Sequence, residues 1–143
     1  PKGVTDDRER AVINADGLVG RLTKTSDRTA EVLLISDPAC RVAVQIGSSQ
    51  ANGILQGQGL SWTGNVICSV DFINKNQTLK RGDEVMTSGL GGVFPKGLSV
   101  GEAIRVERKE YGLFQAVEVR PSADFSRLEE VMVILHSGGK EEG

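Results

Sequence analysis

The feature that most constrains this chain is a period of two in its apolar residues. In 41–46, Val42, Val44 and Ile46 fall on one face and Arg41, Ala43 and Gln45 on the other. Such alternation suits a strand with one covered face and one wet face, and a helix cannot use it. The same habit runs along most of the chain. Residues 11–14 and 18–23 flank an Asp16-Gly17 turn signal and read as a hairpin. Residues 30–35 form a more continuous apolar strand that ends at Ser36-Asp37-Pro38, and 53–60 a strand broken by Gly57 and Gly59. Residues 66–73, 99–108, 113–119 and 131–135 complete the set, with Lys109-Glu110-Tyr111-Gly112 turning the chain between two of them. Apolar residues nowhere recur at three and four over a long window. The most helix to expect is one turn near 126–130, where Ser126 and Glu129 have capping-box spacing.

The chain is therefore all-β, a sandwich or a set of small barrels. Its 143 residues suffice to bury a core without metal or disulfide. The polar run 74–81 marks the expected boundary, giving a first barrel over 1–75, a second over 76–136 and a solvated tail over 137–143. In the alternative arrangement the last strand, 131–135, returns to complete the first barrel.

Composition narrows the function. A net charge of −2 with no basic excess gives nucleic acid no footprint, and one Trp, one Tyr and four Phe make a poor stacking platform. Cys40 and Cys68 cannot form a paired metal knuckle. Cys68 alternates onto the face of Val66 and Val70, so both cysteines are read as free and buried. Asp6-Asp7, Asp83-Glu84 and Glu129-Glu130 are adjacent pairs, not converging ligands, and no metal or cofactor is expected.

Six glycines crowd into 82–101, between short apolar pairs. That density calls for positive φ angles or close backbone approach, and the stretch invites two chemical readings. Ser88 could act as a nucleophile with Gly91 and Gly92 supplying oxyanion amides. The lone histidine, His136, sits beside the tail, where nothing holds it rigidly as a base. Gly92 and Gly97 have phosphate-loop spacing, yet Leu98 stands where the lysine belongs and Pro95 removes an amide. Neither chemistry is expected.

The same stretch carries a family resemblance. Gly82, Asp83, Thr87, Ser88, Gly89, Gly91, Gly92, Phe94, Pro95, Gly97 and Gly101 form its signature. With Gly17-Leu18-Val19-Gly20-Arg21-Leu22, Leu34-Ile35-Ser36-Asp37, Gly53-Ile54-Leu55 and Val119-Arg120-Pro121-Ser122-Ala123-Asp124, they resemble the MreC family of bacterial cell-shape proteins over about 17–135. Glu84 and Met86 depart from the more apolar residues common there.

The resemblance implies two small β-barrels of Greek-key type, similar to those of chymotrypsin-like proteases without a triad, and a scaffold rather than an enzyme. It implies self-association as dimer or filament, and contact with a class B penicillin-binding protein and MreD within the MreB, RodA and RodZ machinery. It also implies an extracytoplasmic region, anchored in the full-length protein by a membrane helix that precedes a coiled coil. Pro1 in place of a Met agrees with a piece of a longer chain. Against this stand a small-molecule or glycan-binding β-module, disfavoured by the few aromatics, and a serine hydrolase using Ser88.

Overall fold

The computed structural model describes residues 10–60, 65–125 and 131–134, without the side chain of Leu60. Ten strands follow in order: β1 (Arg10–Asn14), β2 (Gly17–Thr25), β3 (Ala30–Leu34), β4 (Arg41–Ile46), β5 (Ala51–Leu60), β6 (Val66–Asn74), β7 (Glu84–Thr87), β8 (Ser99–Arg108), β9 (Phe114–Pro121) and β10 (Met132–Val133). Six of them close into a barrel in the order β4-β5-β6-β9-β8-β7, and the others form a sheet in the order β10-β1-β2-β3. All described pairings are antiparallel.

The alternation of β4 survives intact, with Val42, Val44 and Ile46 fully buried. They meet Leu55, Cys68, Val70, Ile73, Val85, Val100, Ala103, Val117 and Val119 inside the barrel. A smaller core of Val12, Val19, Leu22 and Ala123 lies against Val32, Leu34 and Phe125. The two units join through the turn after β3. Ile35 is fully buried in the barrel core, and Ser36 accepts a hydrogen bond from the Gly59 amide at 2.9 Å. Only glycine fits at 57, because a Cβ there would run into the Ser36 backbone.

Two expectations need correction. The change of sheet falls between β3 and β4, not near residue 75. The polar run 74–81 is a turn inside the barrel, where the Lys75 amide donates to Leu113 O and Gln77 to Asn74 O. A solvated turn is as polar as a linker, so polarity could not separate the two. The second concerns β8, whose sequence alternates Val100, Glu102, Ile104, Val106 and Arg108 against Ser99, Gly101, Ala103, Arg105 and Glu107. Bulges opposite Val85/Met86 and at Ala103/Arg105 shift the register, and Val100 and Ala103, one from each set, are fully buried. β10 pairs with β1 through Val12↔Val133 and Ile13↔Met132, so the chain returns to the first sheet. The helical turn expected near 126–130, Trp62, His136 and the tail lie outside the described residues.

Candidate functional site

The glycine-rich stretch 82–101 is assembled around Thr87, which is fully buried at the end of β7. Its amide donates to Leu98 O at 2.9 Å, and its carbonyl accepts from Gly97 at 2.9 Å. The hydroxyl accepts from the Leu98 amide at 2.8 Å and donates to Pro95 O. One side chain therefore clamps both ends of the loop 88–98. Phe94 plugs the loop into the barrel core at 4% exposure. Gly89, Gly91, Gly92 and Gly97 have φ between 79° and 92°, which L side chains resist, and a Cβ on Gly89 would also stand 3.1 Å from Lys96 Cβ.

The remaining signature residues are held as firmly. Ser88 donates its amide to Ala43 O at 3.0 Å, and its Oγ accepts from Leu90 at 3.2 Å, a turn-forming bond rather than a bond to a base. Asp83 is 9% exposed, accepts from the Lys80 amide at 2.9 Å and meets Lys80 Nζ at 3.5 Å. Gly82 donates to Ala103 O, and the Ala103 amide returns to Asp83 O. A Cβ on Gly101 would collide with the Arg120 carbonyl across β8 and β9. The signature thus lies along β7 and the turns at its two ends, with its polar groups bonded to nearby backbone and, at Asp83, also to Lys80.

Among the described residues no group of three or more His, Cys, Asp or Glu could hold a metal ion. The two cysteines are free and buried; burial raises the Cys68 thiol to about 12, and neighbouring Cys40 adds to the shift. A thiol so held is no nucleophile.

What the loop does present is apolar surface. Leu90 is 62% exposed and shares a groove of about 330 Å³ with Ala43, Gly53, Ile54 and Phe72. Phe72 is 61% exposed and has φ 67°, a conformation foreign to a bulky side chain. Strict alternation from Val70 would put Phe72 inside. Instead Val70 opposes Val117 and Ile73 opposes Gln115, so Asp71 and Phe72 together face one residue, Ala116. The bulge turns Phe72 outward and restores Ile73 to the core. Neither Phe72 nor Leu90 stands out in the sequence. The only signal for Phe72 is one residue too many between two apolar positions that both end up buried.

Fold and loop together define a β-barrel module whose conspicuous loop is closed on its own backbone and whose wall carries an exposed apolar groove. Residues 2–135 match the profile described as rod shape-determining protein MreC, barrel core. The chain belongs to the MreC family, whose members are cell shape-determining structural proteins and not enzymes. The cell shape-determining protein MreC of Listeria monocytogenes is 33% identical over 132 residues, which are 90% of this chain and 44% of that protein. The chain therefore spans less than half the length of this curated relative. The crystal structure of MreC from Pseudomonas aeruginosa superposes with a TM-score of 0.78 at 26% identity, covering 92% of this chain and 87% of that one. The MreC fold also recurs in a complex between penicillin-binding protein PBP2 and MreC from Helicobacter pylori, with TM-score 0.72, 21% identity, and 93% and 81% coverage.

Proposed function

We propose that this chain is the extracytoplasmic β-region of a scaffold for cell elongation, one that self-associates and docks a class B penicillin-binding protein to activate peptidoglycan synthesis. The observation that carries the docking half is the groove between Phe72, Ile54 and Leu90. Among the described residues no charged side chain lines it, and backbone strain is spent to keep an aromatic ring in water. Strain of this kind persists where function needs it, and exposed aromatics beside a concavity are typical anchor points of interfaces. The Helicobacter pylori complex supports the partner class.

The self-association half rests on the open sheet. Among the described residues β3 and β10 are the outer strands of that sheet with no further strand beyond them, and Val131, Met132 and Val133 are exposed at one of these edges. Unpaired strand edges recruit further strands, so a neighbouring copy extends the sheet. A membrane helix beyond this chain anchors the protein, and MreD with the MreB, RodA and RodZ machinery completes the assembly.

The test is binding of the purified chain to a penicillin-binding-protein ectodomain. Phe72→Ser/Leu90→Ser should weaken it at least about tenfold, as for loss of interface anchors. A double variant that binds like the parent sinks the docking reading, and a chain that sediments as a monomer at high concentration sinks the edge reading.

A further inference from the structure

The barrel has two ends of different character. The chain enters from the sheet at Arg41 and leaves at Pro121 on one end. The other end carries the turn 47–50, the turn 75–77 and the hairpin tip 109–113 between β8 and β9. At that distal end Tyr111 is 84% and Leu113 74% exposed. Gly112, with φ 88°, lets the tip turn so that both project. Two hydrogen bonds tie tip and turn into one platform: the Lys75 amide donates to Leu113 O at 3.0 Å, and Arg108 donates a guanidinium N–H to Lys75 O at 2.8 Å.

Three cations, Lys75, Arg108 and Lys109, therefore surround two exposed apolar side chains, with Glu110 as the one carboxylate on the tip. Glu107 stands beside Arg108 and shares a groove with Lys109, so the three cations and two carboxylates leave a local excess of +1, against −2 for the whole chain. Among the described residues none of the three is ion-paired to a carboxylate.

We propose that this tip docks on an anionic lipid surface, with Tyr111 and Leu113 entering between headgroups whose phosphates meet Lys75, Arg108 and Lys109. The composition is that of an interfacial anchor. Tyr places an apolar ring under a hydroxyl that stays wet, Leu supplies hydrocarbon, and Lys and Arg lay their stems along apolar surface while their charges reach phosphate. The charge excess favours such a surface over a neutral one. The proposal does not depend on the transpeptidase reading, since the groove at Phe72 and Leu90 lies on the barrel wall.

Flotation with vesicles of phosphatidylglycerol and phosphatidylcholine tests it, against vesicles of phosphatidylcholine alone. The chain should float with the anionic vesicles and lose binding several-fold as salt shortens the Debye length from roughly 14 Å to 6 Å. Lys75→Glu/Lys109→Glu should lower binding at least about tenfold, each cation near such a surface being worth roughly fivefold. Tyr111→Ser/Leu113→Ser should lower it comparably. Unchanged melting curves would show that these exposed substitutions leave the fold intact. A Tyr111→Trp variant should show blue-shifted emission on anionic vesicles alone. Background binding by the parent chain, parent-like binding by either double variant, or an unshifted Trp overturns the proposal. Absent flotation with loss of ectodomain binding in the tip variants would also overturn it and give the tip to a protein partner.

Discussion

Phe72 and Phe114 meet edge to face on the barrel surface, their ring centroids 5.8 Å apart and their planes at 83°. The contact links β6 to β9 across a bulge, and one of its partners holds a left-handed backbone to make it. Such strain costs about 1–3 kcal/mol, and an aromatic pair returns about 0.5–1.5 kcal/mol, less when half-solvated. The balance favours relaxation.

Phe72→Gly should therefore leave stability unchanged or raise it by up to about 1 kcal/mol, while Phe72→Val should lower it, since a β-branched residue fits positive φ worst. Urea unfolding of the three proteins reads the difference. A markedly less stable Gly variant would show that the ring holds the barrel together.

Thr87→Val removes the hydroxyl and keeps the shape. The Leu98 amide and Pro95 carbonyl then lose a partner inside the loop, so the cost should be about 1–3 kcal/mol. Thr87→Ser should recover much of it. Equal stability of Val and Ser variants in chemical denaturation would contradict the clamp.

The signature glycines should separate into two kinds. Gly101→Ala drives a Cβ into the Arg120 carbonyl and should cost more than about 2 kcal/mol by breaking the β8–β9 pairing. At Gly97 there is open space, and the penalty is the φ of 92° alone, about 1–2 kcal/mol. Gly89→Val meets both obstacles and should disturb folding most within the loop. Melting temperatures in the order Gly97→Ala above Gly101→Ala and Gly89→Val would agree; the reverse order would not.

Alkali should destabilise the protein through Cys68. Its thiol is raised to about 12 by burial first and by Cys40 second, against about 9 when unfolded. Between those values the unfolded chain has released a proton that the folded chain keeps, so stability is full below pH 9 and falls as pH rises toward 12. Cys68→Ala should flatten that fall. Thiol titration at pH 8 should find Cys40 and Cys68 unreactive until denaturant is added.

How far the sequence could be read depended on whether a residue's role is local. The alternation of Val42, Val44 and Ile46 translates directly into a buried face, and Asp16-Gly17 into a hairpin, because each needs only its neighbours. The strand pattern of β8 misled where bulges added a residue, since the count of residues between ladder bonds is settled by the partner strand. Whether 131–135 joins one sheet or the other is likewise a matter of distant pairing. At the candidate site, the glycines of 82–101 announced a special backbone, but nothing local distinguishes Thr87, which clamps it, from Ser88 beside it. The outward turn of Phe72 exists only because β9 sets the register opposite it.

The return of β10 to β1 has a mechanical consequence. Ile134 donates its amide to Ala11 O at 2.9 Å, so the start of β1 and the end of β10 lie side by side. Tension applied between residues 10 and 134 pulls on those neighbours in opposite directions and peels the two rungs Val12↔Val133 and Ile13↔Met132 one at a time. The barrel from Arg41 to Pro121 is spliced into the chain beyond that clasp and bears no load until it has opened. β10 is thus a tear strip: the first element to yield under force, and the one whose loss lengthens the chain while leaving the closed barrel whole.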